Sequence, residues 1–264
     1  MPASSRVPSP REREDRSQVI GPIEIAVSAL ALAVAGFAIG AIGFGFGLTT
    51  TPVMLLFLDP QTVVVVVNAV SVLGFGLVLI ETRDHVPYRP LMPTAIAGAL
   101  GAPLGVFALS ALDPSALRIG ISVLVLALTA LVVVKTEWRI PKPQFTGPVL
   151  GFGVAAMVTG LAIGGPLLVL FFLGRGMERQ GVRASMAFFF LFMYITALTG
   201  YFLQGLMTSD RLLLTAATAP AVAIGYWLSV RLTGRMNEKV FRQAVVVVIV
   251  VTSTLVLARE VLSL

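Results

Sequence analysis

Two glycine-rich stretches that end in a proline are the features of this sequence with the clearest chemical use. They are GFGFGLTTTP, residues 43–52, and GLAIGGP, residues 160–166. Glycine and proline interrupt helices. A helix that restarts after an interruption has free backbone N–H groups and about half a positive charge at its first turn. Each stretch therefore predicts a broken helix whose second part can bind an anion.

The candidate binding residues in these stretches are small, carry a hydroxyl group or break a helix. They are Gly43, Gly45, Gly47, Thr49, Thr50, Thr51, Pro52, Gly160, Gly164, Gly165 and Pro166. The threonine hydroxyls would add hydrogen-bond donors without a buried charge. The alternative interpretation is that the glycines serve only close helix packing, because GFAIG, GLAIG and GAPLG all fit the small-xxx-small pattern.

Polar side chains inside other apolar segments extend the candidate site. Asn68 and Ser71 lie one helical turn apart and so share a face. An asparagine in hydrocarbon needs a partner, and here a neighbouring helix and a substrate are both open. Arg183 has a guanidinium suited to bidentate oxyanion binding, although an arginine that sets topology or faces lipid headgroups is the alternative.

The hydrogen-bonding residues of the same segment as Arg183 complete the set. Tyr194, Tyr201 and Gln204 are interpreted as lining a pathway or as anchors at the membrane interface. His85, the single histidine, lies in a charged loop and is interpreted as a hydrated loop residue.

The elements that hold these residues are apolar and long. Of 264 residues, 57% are hydrophobic and 12% are charged, whereas soluble domains are about 25% charged. A membrane-spanning helix needs about 20 mostly apolar residues. The sequence has eight such hydrophobic segments, at residues 23–58, 62–80, 91–112, 115–134, 147–173, 184–207, 212–230 and 240–258. They predict an all-α membrane protein.

Composition also limits the classes of partner and reaction. The net charge of +6 comes from loops beside the apolar segments, so it predicts contact with lipid headgroups and not with nucleic acid. The absence of cysteine excludes zinc thiolate and iron–sulfur sites. There is no GxxxxGK[ST] or HExxH motif. We therefore predict neither an enzyme nor a cofactor, and coupling to protons or sodium stays open.

The chain order predicts a repeated organisation. We expect a disordered polar tail at 1–20, a first transmembrane repeat at 21–134, a polar connector at 135–146 and a second repeat at 147–264. The loops on both sides of the fifth segment are basic, so this segment is predicted to enter and leave on the cytoplasmic side. The second repeat would then be inverted, with a cytoplasmic N-terminus and an extracytoplasmic C-terminus.

Both Gly/Pro stretches, the two sets of four segments and the run QGVRASMAFFF at 180–190 resemble the sulfite exporter TauE/SafE family. The first family motif is met by Gly43, Gly45, Gly47 and Pro52, and the second by Gly164, Gly165 and Pro166, followed by Arg183 and Ala184. The resemblance implies a multi-pass protein of the bacterial inner membrane that transports sulfite, sulfoacetate or another organosulfonate.

With this resemblance, the sequence favours a secondary transporter with a site at the membrane midplane. An anion channel is the first alternative, because the same half-helices would serve it. A membrane assembly subunit and a membrane-embedded enzyme are further alternatives. The oligomeric state is open between a monomer and a homodimer.

Overall fold

The structure is a computed structural model that describes residues 21–133, 143–232 and 238–263. These residues form ten α-helices and one 3-10 turn at Arg83–His85. The helices are α1 Pro22–Ile42, α2 Phe46–Met54, α3 Pro60–Thr82, α4 Tyr88–Ala111, α5 Pro114–Val133, α6 Pro143–Leu161, α7 Gly165–Gly174, α8 Arg179–Leu203, α9 Ser209–Leu232 and α10 Glu238–Ser263. The predicted tail and connector residues 135–142 lie outside the described residues.

Prolines and aspartates set the starts of several helices. Asp59 caps α3, its side chain accepting a hydrogen bond from the Thr62 N–H at 2.9 Å. Asp113 accepts one from the Ala116 N–H, also at 2.9 Å, at the start of α5. Proline follows both aspartates, and it suits the first helical position because its fixed φ is already helical. Proline also begins α6, at Pro143, inside the predicted connector.

The two Gly/Pro stretches break the longest apolar segments into pairs of helices. Gly43 ends α1 with a φ of 83°, and Gly45 precedes α2 with a φ of 96°. Both angles lie in the left-handed region that favours glycine. Ala162, just after α6, also has a left-handed φ, 60°. Ten helices therefore stand where eight segments were predicted.

Contacts at the helix ends establish how the chain runs through the bundle. Arg183, near the start of α8, forms an ion pair with Glu81, near the end of α3, at 3.1 Å. Arg211, near the start of α9, forms one with Asp59, before α3, at 3.6 Å. We call these two ends of the bundle the Glu81 end and the Asp59 end. Helices α3 and α9 run towards the Glu81 end, and α8 runs away from it.

The first broken segment begins and ends at the Asp59 end. Helix α1 runs parallel to α9, since Gly36 lies against Val222 and Gly40 against Ser229. It therefore starts at the Asp59 end and finishes towards the Glu81 end. Helix α2 then leads back to Asp59 and the start of α3.

The second broken segment begins and ends at the Glu81 end. Helix α4 starts there, after the 3-10 turn. Helix α6 runs parallel to α4, since Gly101 lies against Phe152 and Gly105 against Ala156. Helix α7 then leads back to α8, which also starts at the Glu81 end. The re-entrant course predicted for this segment agrees with these contacts.

The described chain starts and finishes at the same end of the bundle. Arg118, near the start of α5, lies 3.5 Å from Glu260, near the end of α10, so α10 finishes at the Asp59 end, where α1 starts. The termini themselves lie outside the described residues. The course of the described chain differs from the predicted one, in which its first and last segments reach opposite sides. The reason is that residues 23–58 were taken as one crossing, whereas α2 turns this segment back.

Six of the described helices are long and apolar enough to cross a membrane. They are α1, α3, α4, α5, α8 and α9. Large apolar side chains are exposed on the outside of the bundle, including Leu30 at 69%, Phe107 at 61% and Phe202 at 73%. Such a surface suits lipid, because the polar backbone of each helix is satisfied internally. The chain is a multi-pass membrane protein.

Two glycines of α6 provide a test of this packing. A Cβ added at Gly151 would lie 2.4 Å from the Thr94 carbonyl oxygen of α4, whereas one at Gly153 would meet no atom within 4 Å. We expect Gly151→Ala to destabilise the protein by about 1–3 kcal/mol through overpacking. Gly153→Ala should stabilise it by about 0.5–1 kcal/mol, because alanine favours a helix interior. Thermal melting of the detergent-solubilised variants would show the opposite signs, and equal melting temperatures would contradict the α4–α6 contact.

Candidate functional site

Both helix breaks border one small cavity in the middle of the bundle. Its lining contains Phe44, Gly45, Phe46, Gly47 and Leu48 from the first break, and Val158, Ala162, Ile163, Gly164, Gly165 and Pro166 around the second. Ser71 and Phe75 of α3 and Met186, Phe190 and Tyr194 of α8 complete it. No acidic side chain is among these lining residues.

The cavity lies at the first turns of two short helices. The N–H groups of Phe46, Gly47 and Leu48 open α2, and that of Gly165 opens α7. The first turn of a helix has no intrahelical acceptor for these groups. Pro166 has no N–H, so α7 presents fewer donors than α2. The arrangement gives the cavity a positive electrostatic character without a charged side chain.

The two breaks touch each other at Gly47. A Cβ added there would lie 1.8 Å from the Ala162 carbonyl oxygen. Only glycine allows this approach of α2 to the turn between α6 and α7. Gly47 is therefore a contact between the two halves of the chain as well as part of the cavity wall.

The threonines of α2 form bonds to their own helix. The hydroxyl of Thr49 donates to the Gly45 and Phe46 carbonyls at 3.0 Å, and that of Thr50 to the Phe46 carbonyl at 2.9 Å. These two hydroxyls do not donate into the cavity in this structure. The Thr51 hydroxyl is buried and has no hydrogen-bond partner.

Asn68 is held by two neighbouring helices. Its side-chain amide donates to the Val158 carbonyl of α6 at 2.9 Å and to the Tyr201 hydroxyl of α8 at 2.8 Å. The Tyr201 hydroxyl in turn donates to the Thr159 carbonyl. Of the two interpretations left open for Asn68, the neighbouring helices account for its donors here.

We expect Asn68→Ala to lower stability by about 1 kcal/mol, because interhelical hydrogen bonds in membranes contribute about 0.6 to 1.7 kcal/mol. Thr199→Ala is the control, since the Thr199 hydroxyl is exposed and bonds only to Ile195 of its own helix. Melting temperatures of the purified variants would test this. A lower value for Thr199→Ala than for Asn68→Ala would contradict the role of Asn68.

Arg183 lies beside the cavity and is not part of its wall. Its guanidinium donates to both carboxylate oxygens of Glu81, each at 3.1 Å, and to the Gln180 side-chain oxygen at 2.9 Å. The Tyr226 hydroxyl also donates to Glu81. The Arg183 side chain is only 7% exposed, and that of Glu81 is 39% exposed.

The remaining predicted residues have different positions. Gly45, Gly47, Ser71, Gly164, Gly165, Pro166 and Tyr194 line the cavity. Gly43 ends α1 next to Arg183, and Gly160 packs on Gly105 of α4. Pro52 is buried within α2, and Gln204 is exposed after the last turn of α8.

Sequence reasoning missed the aromatic wall and Glu81. The rings of Phe75 and Phe190 stack with centroids 4.5 Å apart, and the rings of Phe190 and Tyr194 with centroids 6.1 Å apart. The spacing of Met186, Phe190 and Tyr194 by four residues was available as a signal. This spacing did not distinguish the cavity face of α8 from its other faces, because those faces are apolar too.

Membrane-length helices around two broken segments, with a cavity between the breaks, are typical of membrane transporters. The family model described as "TauE: Sulfite exporter TauE/SafE" matches residues 28–256. The chain therefore belongs to the sulfite exporter TauE/SafE family, and its class is that of a sulfite or sulfonate exporter-type membrane transporter. No curated protein and no solved structure matches it.

Proposed function

We propose that this protein exports a small anion, such as sulfite, sulfoacetate or another organosulfonate, by alternating access around the central cavity. The observation that carries the proposal is the meeting of the α2 and α7 first turns at a cavity whose lining has no acidic residue. Anions are stabilised at a helix N-terminus by about 0.3 to 2 kcal/mol. Two such termini favour a small oxyanion over a cation or a neutral solute.

The two halves of the chain act as inverted repeats in this proposal. Three observations support it. Each half opens with a broken segment, and the two segments enter from opposite ends of the bundle. The left-handed residues Gly43 and Ala162 hold corresponding positions, each two residues before the residue that caps the next short helix. The pairs α1–α9 and α4–α6 are the corresponding parallel contacts. Rocking one half against the other would expose the cavity to each end in turn.

The Glu81 end faces the cytoplasm in this proposal. Among the described residues, Arg83, Arg89, Arg175, Arg179 and Arg231 lie at or near that end, whereas Arg118, Arg211 and Arg259 lie at the other. Basic residues accumulate on the cytoplasmic side. Reporters fused to Met1 and to Leu264 should therefore both be extracytoplasmic. Two cytoplasmic reporters would reverse the orientation, and reporters on opposite sides would contradict the chain course.

Ligand binding tests the substrate class. Purified protein should show a higher melting temperature with sulfite or sulfoacetate than with taurine, acetate or sodium chloride at equal ionic strength. Stabilisation follows the logarithm of ligand concentration over Kd and reaches about 2.7 kcal/mol at a hundredfold excess. An equal response to all the solutes, or a response to taurine alone, would contradict an anion site.

A further inference from the structure

Arg183 lies beside the cavity, on the same face of α8 as three residues of the cavity wall. Met186, Phe190 and Tyr194 line the cavity, and Arg183 lies one turn before Met186 towards the Glu81 end. A Cβ added at Gly43 would lie 2.4 Å from Arg183 Cγ. The arginine is therefore packed against the turn between α1 and α2 that carries the cavity residues Phe44 and Gly45.

The guanidinium of Arg183 is only partly satisfied by the protein. Two of its nitrogens donate to Glu81, and one of these donates to Gln180 as well. The third, Nε, is buried and has no hydrogen-bond partner. A buried donor without a partner is unfavourable by about 1–3 kcal/mol. A planar guanidinium can instead bind an oxyanion through Nε and one terminal nitrogen.

Glu81 occupies the place of such an oxyanion. Its carboxylate binds Arg183 through two oxygens, as a sulfonate or sulfite group would. The carboxylate also accepts a hydrogen bond from the Tyr226 hydroxyl. Glu81 is also the more exposed partner, at 39% against 7% for Arg183. It can therefore move into water at the Glu81 end at a lower free-energy cost than the arginine can.

The opposite side of the cavity has no such charged pair beside it. There Asn68 makes neutral hydrogen bonds to Val158, which lines the cavity, and to Tyr201. The ion pair of Arg211 with Asp59 lies further out, at the end of the bundle. Among the described residues, a charged pair therefore lies next to the cavity only on the side of the Glu81 end.

We propose that Arg183 is an anion-binding site at the mouth of the cavity, and that Glu81 is a built-in competitor which closes this mouth until a sulfonate or sulfite displaces it. The proposal rests on the proposed function, because it assigns that anion its first contact at the Glu81 end. It adds Glu81 and Tyr226 to the residues that control access.

The absence of cysteine from the sequence makes a direct test available. Ser71→Cys introduces a single thiol in the cavity wall. Two reagents would be compared on purified protein in nanodiscs: the anionic 2-sulfonatoethyl methanethiosulfonate and the cationic 2-(trimethylammonium)ethyl methanethiosulfonate. Modification of the thiol needs no transport, so the result is independent of whether sulfite is carried.

Adding Glu81→Gln should raise the modification rate with the sulfonate reagent by at least about tenfold, since a basic cleft raises anion on-rates by about 10- to 1,000-fold. The rate with the cationic reagent should rise less. Asp59→Asn is the matched control, because it neutralises the partner of Arg211 at the other end and can still cap α3. It should leave both rates within about twofold.

The proposal is overturned if Glu81→Gln leaves the sulfonate rate unchanged, or raises both rates equally, since the pair would then be structural only. An equal rise with Asp59→Asn would also overturn it. Tyr226→Phe removes one hydrogen bond to Glu81 and keeps both charges, so it provides a second variant if Glu81→Gln does not fold. It should give a smaller rise that is again larger for the sulfonate reagent, and no rise would count against the proposal.

Discussion

Gly47→Ala is expected to abolish sulfite transport and to lower the melting temperature of the protein. The added Cβ would lie 1.8 Å from the Ala162 carbonyl oxygen, which is backbone and cannot rotate away. Helix α2 would have to move away from the turn before α7, and the first turns of the two helices would no longer border one cavity. Overpacking of this kind destabilises by about 1–3 kcal/mol.

Gly76→Ala is the matched control for Gly47→Ala. Gly76 lies in α3, and a Cβ added there would meet no atom within 4 Å. It should transport as the wild type does and melt at the same or a higher temperature. Sulfite flux into proteoliposomes and melting curves would be measured on both variants. Full transport by Gly47→Ala would contradict the assignment of the cavity between the breaks as the substrate site.

The second large effect is expected from Arg183→Ala, which should weaken sulfite binding about 10- to 100-fold. A charge-assisted hydrogen bond contributes about 1.5–3 kcal/mol, and each 1.4 kcal/mol is a factor of ten in Kd. The melting temperatures of the wild type and of Arg183→Ala, measured over a series of sulfite concentrations, would give the Kd of each protein for sulfite. Arg183→Lys should recover part of the affinity, since it keeps the charge but not the fork.

Arg211→Ala separates the loss of an anion contact from the loss of a buried arginine. Arg211 is also mostly buried, 13% exposed, and pairs with Asp59 at 3.6 Å, but it lies away from the cavity. Both alanine variants should therefore lose stability, whereas only Arg183→Ala should lose sulfite affinity. Equal sulfite affinities of the two variants would contradict an anion contact at Arg183 and would indicate a structural role only.

The sequence predicted the helix breaks well because backbone rules act locally. Glycine and proline at residues 43–52 and 160–166 disfavour a continuous helix in any surroundings, and the two breaks occur within these stretches. The all-helical membrane class follows as directly from segment length and hydropathy. Family membership rests on the same local motifs, which the family match over residues 28–256 confirms.

The pairing of distant side chains was beyond the same reasoning. Glu81 stands at the edge of an apolar segment, close to Arg83 and Asp84, so its position in the sequence does not distinguish it from the charged loop that contains His85. Its partner Arg183 is 102 residues away in sequence, and only the crossing of α3 and α8 brings them together. The sequence also did not show which way the Thr49 and Thr50 hydroxyls point. They donate hydrogen bonds to carbonyls one helical turn earlier in their own helix and not to a substrate site.

The end of the bundle at which a segment leaves could also be determined only from the tertiary contacts. Basic loops flank residues 147–173 on both sides, and this pattern predicted a re-entrant segment. Residues 23–58 have a tail on one side and the short turn before Asp59 on the other, so loop charge carried no such signal there. The parallel packing of α1 on α9, through Gly36 and Val222, supplies it.

Sulfite counterflow in proteoliposomes tests the central claim most directly. Vesicles loaded with unlabelled sulfite would be diluted into a trace of labelled sulfite, and labelled sulfite inside would be followed with time. An alternating-access carrier predicts a transient, saturable accumulation above equilibrium that is absent with Gly47→Ala and present with Gly76→Ala. Flux without saturation or counterflow would indicate a channel, and flux no greater than in protein-free vesicles for sulfite and sulfoacetate alike would contradict the proposed function.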